Sequence, residues 1–273
     1  MTALATLPLV VTVVLIELAV GGIFLIWLLD RRGEAPDGFI RLTAAVNLFA
    51  ALFAVLLIPT IPRGELAQRA GLASDPLGAY AQGIILVAIL CAVHLLTTFI
   101  PSRDVRGVVS LLGIIGGVGT LVAAAIARPV ASPDASYDVF AIVSLPISAL
   151  ALGGVNAAML LGHWYLVTPK LSTAPLRRAA FTIVIAVALQ LGLVGVAFAR
   201  GDLQTTLQGA LMVAAALRIG IGILMTGGVA LAAWWTASMN TQSSTGLLYV
   251  GLGTVLAGEV SARVIFFIAG VPI

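Results

Sequence analysis

The sequence predicts an all-α, polytopic integral membrane protein with eight transmembrane helices. Of its 273 residues, 61% are hydrophobic and only 9% are charged, whereas a typical soluble domain carries roughly 25% charged residues. A chain of this length cannot hide so much apolar surface in a soluble core, so the lipid bilayer must be its solvent. The alternation expected of membrane strands is absent, and helices satisfy their own backbone groups in lipid.

Eight apolar runs define the predicted helices in chain order. They cover residues 7–29, 40–58, 79–100, 107–127, 139–168, 179–199, 207–237 and 245–270. A helix of about 20 residues crosses a bilayer, and the two longest runs can tilt or protrude. No basic residue precedes the first run, which predicts a retained helix rather than a cleaved signal peptide. The longest connection, residues 59–76, predicts a short interfacial helix between prolines.

The distribution of lysine and arginine predicts that both termini lie outside the cytoplasm, because cytoplasmic loops concentrate positive charge. With the N-terminus outside, eight basic residues fall in cytoplasmic loops and four in outer loops. The cytoplasmic set is Arg31, Arg32, Arg41, Arg103, Arg106, Lys170, Arg177 and Arg178, and the outer set is Arg63, Arg69, Arg128 and Arg200. We therefore expect a multi-pass protein of the inner (cytoplasmic) membrane.

The two halves of the sequence resemble each other. LAVGG at 18–22 matches LALGG at 150–154, QGIILVA at 82–88 matches QGALMVA at 208–214, and GVGTLVA at 117–123 matches GLGTVLA at 251–257. The three pairs are collinear and have offsets of 132, 126 and 134 residues. They predict a tandem repeat of two four-helix bundles, residues 1–135 and 136–273, related by an axis along the membrane normal.

Four ionisable residues stand near the middle of predicted helices: Glu17, Arg218, Glu259 and Arg263. Charges at this depth are costly, so each is a candidate for a functional role. Glu259 and Arg263 are four residues apart and share a helix face. Two interpretations remain open, since the four charges can cancel. They form either a buried ion-pair network that only holds the bundle together, or a proton path or polar end of a ligand site.

The chain has two histidines, His94 and His163, at nearly equal depth in the third and fifth predicted helices. Trp164 and Tyr165 follow the second of them and fit the aromatic belt of a membrane protein. These four residues are the candidates for contact with a quinone. The histidine pair could instead ligate a haem b through two axial imidazoles, or each ring could be an ordinary hydrogen-bonded interfacial residue.

Two stretches resemble the NrfD/DmsC-like membrane anchor subunits of molybdenum and iron–sulfur oxidoreductases. They are ELAVGG at 17–22 in the first helix and GEVSARVIFF at 258–267 in the last. The second is similar to a pattern of glutamate, arginine and paired aromatic residues late in those anchors, with Ala262 replacing a glycine and Phe267 a tyrosine. The resemblance implies a haem-free bundle that binds a quinone such as menaquinone and anchors an electron-carrying partner subunit. It also implies that His94 lies near the quinone.

Two other functions fit the same sequence. A secondary transporter would use the mid-helix charges to carry a small solute or a proton, and a structural subunit would have no chemistry of its own. The net charge is only +3 and the basic residues are scattered, which does not favour nucleic-acid binding. The single cysteine, Cys91, cannot provide the thiolate set that ligates an iron–sulfur cluster. Electrons would therefore come from another subunit.

Overall fold

The protein, described here from a computed structural model, consists of eight long helices that are apolar enough to cross a membrane. The structure describes residues 2–130, 137–168, 171–203 and 208–273, and these contain no β-strand. The helices are α1 (Thr2–Asp30), α2 (Asp37–Leu57), α3 (Ser74–Thr97), α4 (Arg103–Ile126), α5 (Val139–Val167), α6 (Ala174–Ala199), α7 (Ala210–Thr236) and α8 (Thr241–Ala269). The predicted fold class is confirmed, and the chain is a multi-pass membrane protein.

Several helices begin in polar sequence, a few residues before the apolar runs that predicted them. The first turn of α3 contains Asp75, and the first turn of α4 contains Asp104. Polar side chains also cap helix starts. Asp138 accepts a hydrogen bond from the backbone amide of Phe140 at the start of α5, and Asn240 accepts hydrogen bonds from two backbone amides at the start of α8. Such caps satisfy donors that have no partner within the helix, so a helix can extend beyond its apolar segment.

The connection between α2 and α3 contains a short helix, Glu65–Arg69, which follows a 3₁₀ turn at Ile58–Thr60. Glu65 and Arg69 form an exposed ion pair at 2.5 Å across one helical turn. The helix predicted within residues 59–76 is therefore present, while its position at the membrane surface stays a prediction.

Helices α1 and α5 occupy the centre of the bundle and are the most buried of the eight. They cross at two glycines, since a methyl group added to Gly21 would lie 2.9 Å from the Cα of Gly153. Backbones approach this closely in membranes only where side chains are absent, as in other small-residue helix crossings. The central crossing thus depends on the absence of a side chain at both positions.

The helices of the two halves make matching contacts. In the first half α1 packs on α2 and α4, and α3 packs on α2 and α4; in the second half α5 packs on α6 and α8, and α7 packs on α6 and α8. Between the halves, α1–α8 contacts match α4–α5 contacts. This arrangement is the one that a tandem repeat requires, although the repeat itself stays a prediction. Its predicted boundary, between residues 135 and 136, lies outside the described residues.

Helix α7 is not a uniform α-helix. Between Ala210–Ala216 and Thr226–Thr236 it contains a π-helical segment, Leu217–Met225. A Cβ atom added to Gly222 within this segment would overlap with the Cα of Gly258 on α8. The wider turn and the close approach place Arg218 directly beside α8.

Candidate functional site: a buried charge network

The four mid-helix charges meet in the interior of the bundle. Glu17 comes from α1, Arg218 from the π-helical segment of α7, and Glu259 and Arg263 from α8. Each is at most 1% exposed. In a membrane protein such side chains are normally paired and face the bundle interior, and the structure places all four in that environment.

Glu259 is the centre of the network. Its Oε1 accepts from Arg218 Nη1 at 2.8 Å and from Gln190 Nε2 at 2.6 Å. Its Oε2 accepts from Arg263 Nη2 at 3.3 Å. A carboxylate with three donors, two of them cationic, is held by strong charge-assisted hydrogen bonds, so Glu259 is the best-satisfied charge in the site.

Two neutral side chains connect the charges to further helices. Ser148 on α5 accepts from Arg263 Nη2 at 2.9 Å and from Gln190 Nε2 at 3.2 Å. Gln190 lies on α6, so the network joins α1, α5, α6, α7 and α8. It therefore extends across the contact between the two halves of the protein.

Glu17 differs from Glu259 in its surroundings. Its nearest charge is Arg263, with 3.5 Å between Nε and Oε1, and neither of its oxygens accepts a hydrogen bond from the described residues. Arg263 Nε and Nη1 likewise have no hydrogen-bond acceptor there. Buried polar groups without partners are uncommon and costly. The space between α1 and α8 thus presents unused donors and acceptors to a proton, a water molecule or a ligand.

The network contains two carboxylates and two guanidinium groups, so its formal charge is zero when all are ionised. This balance reduces the cost of burial, although the desolvation of buried pairs offsets much of their attraction. It also means that one proton gained or lost changes the charge of a buried site by a full unit. The arrangement is suited both to holding helices together and to exchanging a proton.

His94 lies in a second buried polar cluster, near the ends of α1, α3 and α4. Its Nε2 is 3.1 Å from Ser110 Oγ, and that hydroxyl also donates to the carbonyl of Arg106 at 2.8 Å. Arg106 in turn binds both oxygens of Asp30, at 2.8 and 2.9 Å. The histidine is 1% exposed, so these residues surround it rather than a cavity open to the membrane.

His163 is exposed, and its Nδ1 is 3.0 Å from the hydroxyl of Tyr249 on α8. Trp164 covers Gly38 at the start of α2, and the buried Tyr165 donates its hydroxyl hydrogen to the carbonyl of Ser172. The tryptophan and the tyrosine therefore join α5 to neighbouring segments, and of these three residues the histidine is the most exposed.

The four candidate quinone contacts do not form one site. His94 and His163 bond to different helices, and α3 and α5 are not among the helices that pack extensively against each other in the described ranges. The bis-histidine haem arrangement requires those two helices to be neighbours with facing rings. No group of three or more histidine, cysteine or acidic side chains is arranged for a metal ion within the described residues.

Some site residues were not predicted from the sequence. These are Tyr249, Ser148 and the Asp30–Arg106 pair. In the sequence they are isolated polar residues at helix ends or within apolar runs, and no motif marks them as part of a site. Five cavities of about 230 to 490 Å³ lie at the surface of the bundle, and neither histidine lines any of these five.

No protein-family model, no curated protein and no solved structure matches the chain.

Proposed function

We propose that this protein is the integral membrane subunit of a respiratory or electron-transfer complex, which binds a quinone or quinol and exchanges its protons through the buried network. One observation carries the proposal: the two stretches that resemble NrfD/DmsC-like anchors converge in space. Glu17 of the first stretch lies 3.5 Å from Arg263 of the second. Residues 246 positions apart in sequence thus contribute to one buried site.

Quinone chemistry explains why such a site would contain protonatable groups. Reducing a quinone to a quinol takes up two electrons and two protons, and the reverse reaction releases them. Within a bilayer the protons must pass through side chains or ordered water, because lipid offers no donor. Glu17 suits this role because neither of its oxygens accepts a hydrogen bond from the part of the chain that the structure describes.

The exposed His163–Tyr249 pair is the better candidate for direct contact with the quinone. A quinone diffuses in the bilayer and would reach an exposed ring before a buried one. An imidazole and a phenol within hydrogen-bond distance of each other can donate to a carbonyl oxygen and take the proton back. His94, which the resemblance implies lies near the quinone, is enclosed by Ser110 and its neighbours, and a haem b is the less favoured cofactor.

The subunit would act with an electron-carrying partner, because its single cysteine cannot ligate a cluster. Its location would be the inner membrane with both termini outside, as the basic residues predict. The tandem repeat belongs to the same proposal. It is supported by the matching helix contacts and by Gly21 and Gly153, which differ by the predicted offset of 132 and touch at the central crossing.

A second candidate is a proton-coupled secondary transporter. The observation that favours it is the nine-residue π-helical segment around Arg218, because π-helical turns often mark functional sites and places where a helix can rearrange. A transporter would work as this chain alone, whereas an anchor subunit needs a quinone and a partner. This difference makes the two candidates separable.

The test uses purified protein in lipid nanodiscs and a short-chain menaquinone analogue, whose binding is followed by quenching of tryptophan fluorescence. We expect His163→Ala to weaken binding about fivefold or more, the value of one lost hydrogen bond, and His94→Ala to leave it within twofold. If His94→Ala alone abolished binding of the analogue, the quinone would contact His94 and not His163. The absence of saturable quenching in the unsubstituted protein would refute the quinone function.

A second measurement examines the proton role of Glu17. In membranes that contain the assembled complex, Glu17→Gln should leave analogue binding within twofold and lower the rate of quinol-dependent electron transfer at least tenfold. Glu65→Gln, an exposed glutamate on the short helix, is the matched control and should leave the rate unchanged. Proton uptake by proteoliposomes that contain this chain without quinone would instead support the transporter.

A further inference from the structure

A basic cavity lies between the ends of three helices, far from the charge network. It has a volume of about 490 Å³, and its lining includes Leu28 near the end of α1, Arg32 just beyond it, Arg177 and Arg178 in the first turns of α6, and Trp234 in the last turn of α7. The distribution of basic residues predicts that this end of the bundle faces the cytoplasm. The cavity therefore opens where helices leave the bilayer.

The cavity carries an excess of positive charge. Three arginines line it, and one of them, Arg178, is paired with Glu34. Within the described part of the chain, no carboxylate forms an ion pair with either Arg32 or Arg177, and both side chains are exposed. Two guanidinium groups are thus free to bind an anion.

The position of α6 adds to the positive charge of the cavity. Ala174, the first residue of α6, lines the cavity, and the first turn of the helix contains no acidic residue. The N-terminus of a helix is the positive end of its dipole, which attracts anions. Phosphate oxygens match the planar, bidentate donors of guanidinium groups, and their negative charge suits a helix start.

Apart from Thr182, the rest of the lining is apolar. Phe181 is 47% exposed, and its ring lies 5.7 Å from that of Trp234. The guanidinium of Arg177 stands 5.1 Å from the centre of the Trp234 ring, an arrangement that orients a cation at an aromatic surface. A ligand here would meet positive charge at one end and aromatic and aliphatic surface at the other, which is the chemistry of a phospholipid.

We propose that this cavity binds the headgroup of an anionic phospholipid of the cytoplasmic leaflet, with the phosphate between Arg32 and Arg177 and the start of an acyl chain along Phe181 and Trp234. Basic pockets between transmembrane helices on this side of a membrane bind such headgroups. The proposal does not depend on the quinone function, because the cavity shares no residue with the charge network or with the His163–Tyr249 pair.

The test is native mass spectrometry of the whole protein released from nanodiscs that contain phosphatidylglycerol and phosphatidylcholine in equal amounts. The unsubstituted protein should retain phosphatidylglycerol selectively. The double variant Arg32→Gln/Arg177→Gln should bind it about 30-fold more weakly, from about 1 kcal/mol for each arginine at a membrane surface. The control Arg31→Gln/Arg103→Gln removes the same charge from the same end of the bundle, outside the cavity lining, and should change binding less than threefold.

Four results would overturn the proposal: no preference for phosphatidylglycerol in the unsubstituted protein, equal weakening in the control, displacement of the lipid by millimolar inorganic phosphate, or binding of a partner subunit that the same two arginines support in the absence of lipid. The third would indicate a site for a free anion and the fourth a protein-docking surface. Should the double variant fail to fold, Arg177→Gln alone, a change at an exposed side chain, should still weaken lipid binding about fivefold.

Discussion

Replacing Glu259 with glutamine would remove one negative charge from the buried network while nearly preserving side-chain volume. The remaining charges, Glu17, Arg218 and Arg263, then sum to +1 in a site where each is at most 1% exposed. Removing one partner of a buried ion pair costs about 3–5 kcal/mol, because the other charge stays buried without compensation. We expect Glu259→Gln to lower the free energy of unfolding by that amount, and Arg218→Met to do the same with a residual charge of −1.

The double variant Glu259→Gln/Arg218→Met separates charge balance from the loss of two contacts. It leaves Glu17 with Arg263, which again sum to zero, and it removes the 2.8 Å pair as a unit. Directly interacting residues show coupling energies of about 0.5–3 kcal/mol, and this buried pair should lie at the upper end. The double variant should therefore cost about 2–3 kcal/mol less than the two single variants added together.

The measurement is reversible unfolding in mixed micelles of a mild detergent and dodecyl sulfate, followed by tryptophan fluorescence. All four members of the cycle are compared at the same pH and ionic strength. The reasoning would be refuted if each single variant cost less than about 1 kcal/mol, or if the two costs added to within about 0.5 kcal/mol, which is the behaviour of independent sites.

Three further predictions use the same unfolding assay or the quinone titration. Gly153→Ala should destabilise the central crossing by about 1–3 kcal/mol through overpacking, whereas Gly154→Ala, whose new methyl group would lie 3.6 Å from its nearest neighbour, should cost less than about 1 kcal/mol; equal costs would contradict the crossing. Asp30→Asn should cost about 3 kcal/mol or more, because it leaves a buried arginine without its bidentate partner, and the exposed Glu65→Gln should cost less than about 0.5 kcal/mol. Tyr249→Phe should change stability by less than about 1 kcal/mol and weaken binding of the menaquinone analogue severalfold, and unchanged binding would exclude the hydroxyl from the site.

Hydropathy predicted the number and order of the helices because each apolar run is long enough to cross the bilayer core as a helix. It did not predict the helix ends. Helix α6 begins at Ala174, five residues before its predicted run, and its first turns contain two arginines, which an apolar run cannot include. Hydropathy averaged over a window does not detect polar helical turns, although capping residues and prolines at helix starts mark them.

The charge network was predictable as a group because ionisable residues in the middle of a membrane are stable only when they are paired. The sequence could not assign their partners, since those depend on which helices are neighbours. Ser148 and Tyr249 are ordinary polar residues until α5 and α8 are seen to pack together. The π-helical segment was equally hidden, because the two glycines at 220 and 222 permit several backbone geometries.

The offset of 132 residues suggests how one polar site could arise within two similar halves. It relates Gly21 to Gly153, and these touch at the α1–α5 crossing, as expected of residues near the predicted two-fold axis. It also relates Glu17 to position 149, next to Ser148. Both side chains approach the same guanidinium, with Ser148 Oγ 2.9 Å and Glu17 Oε1 3.5 Å from nitrogens of Arg263. Adjacent rather than equivalent positions on the two central helices thus supply a hydroxyl and a carboxylate to one cation of α8. In the predicted repeat, such a difference between the halves would direct a single charged group towards α1, where Arg263 is the one ion-pair partner of Glu17 among the described residues.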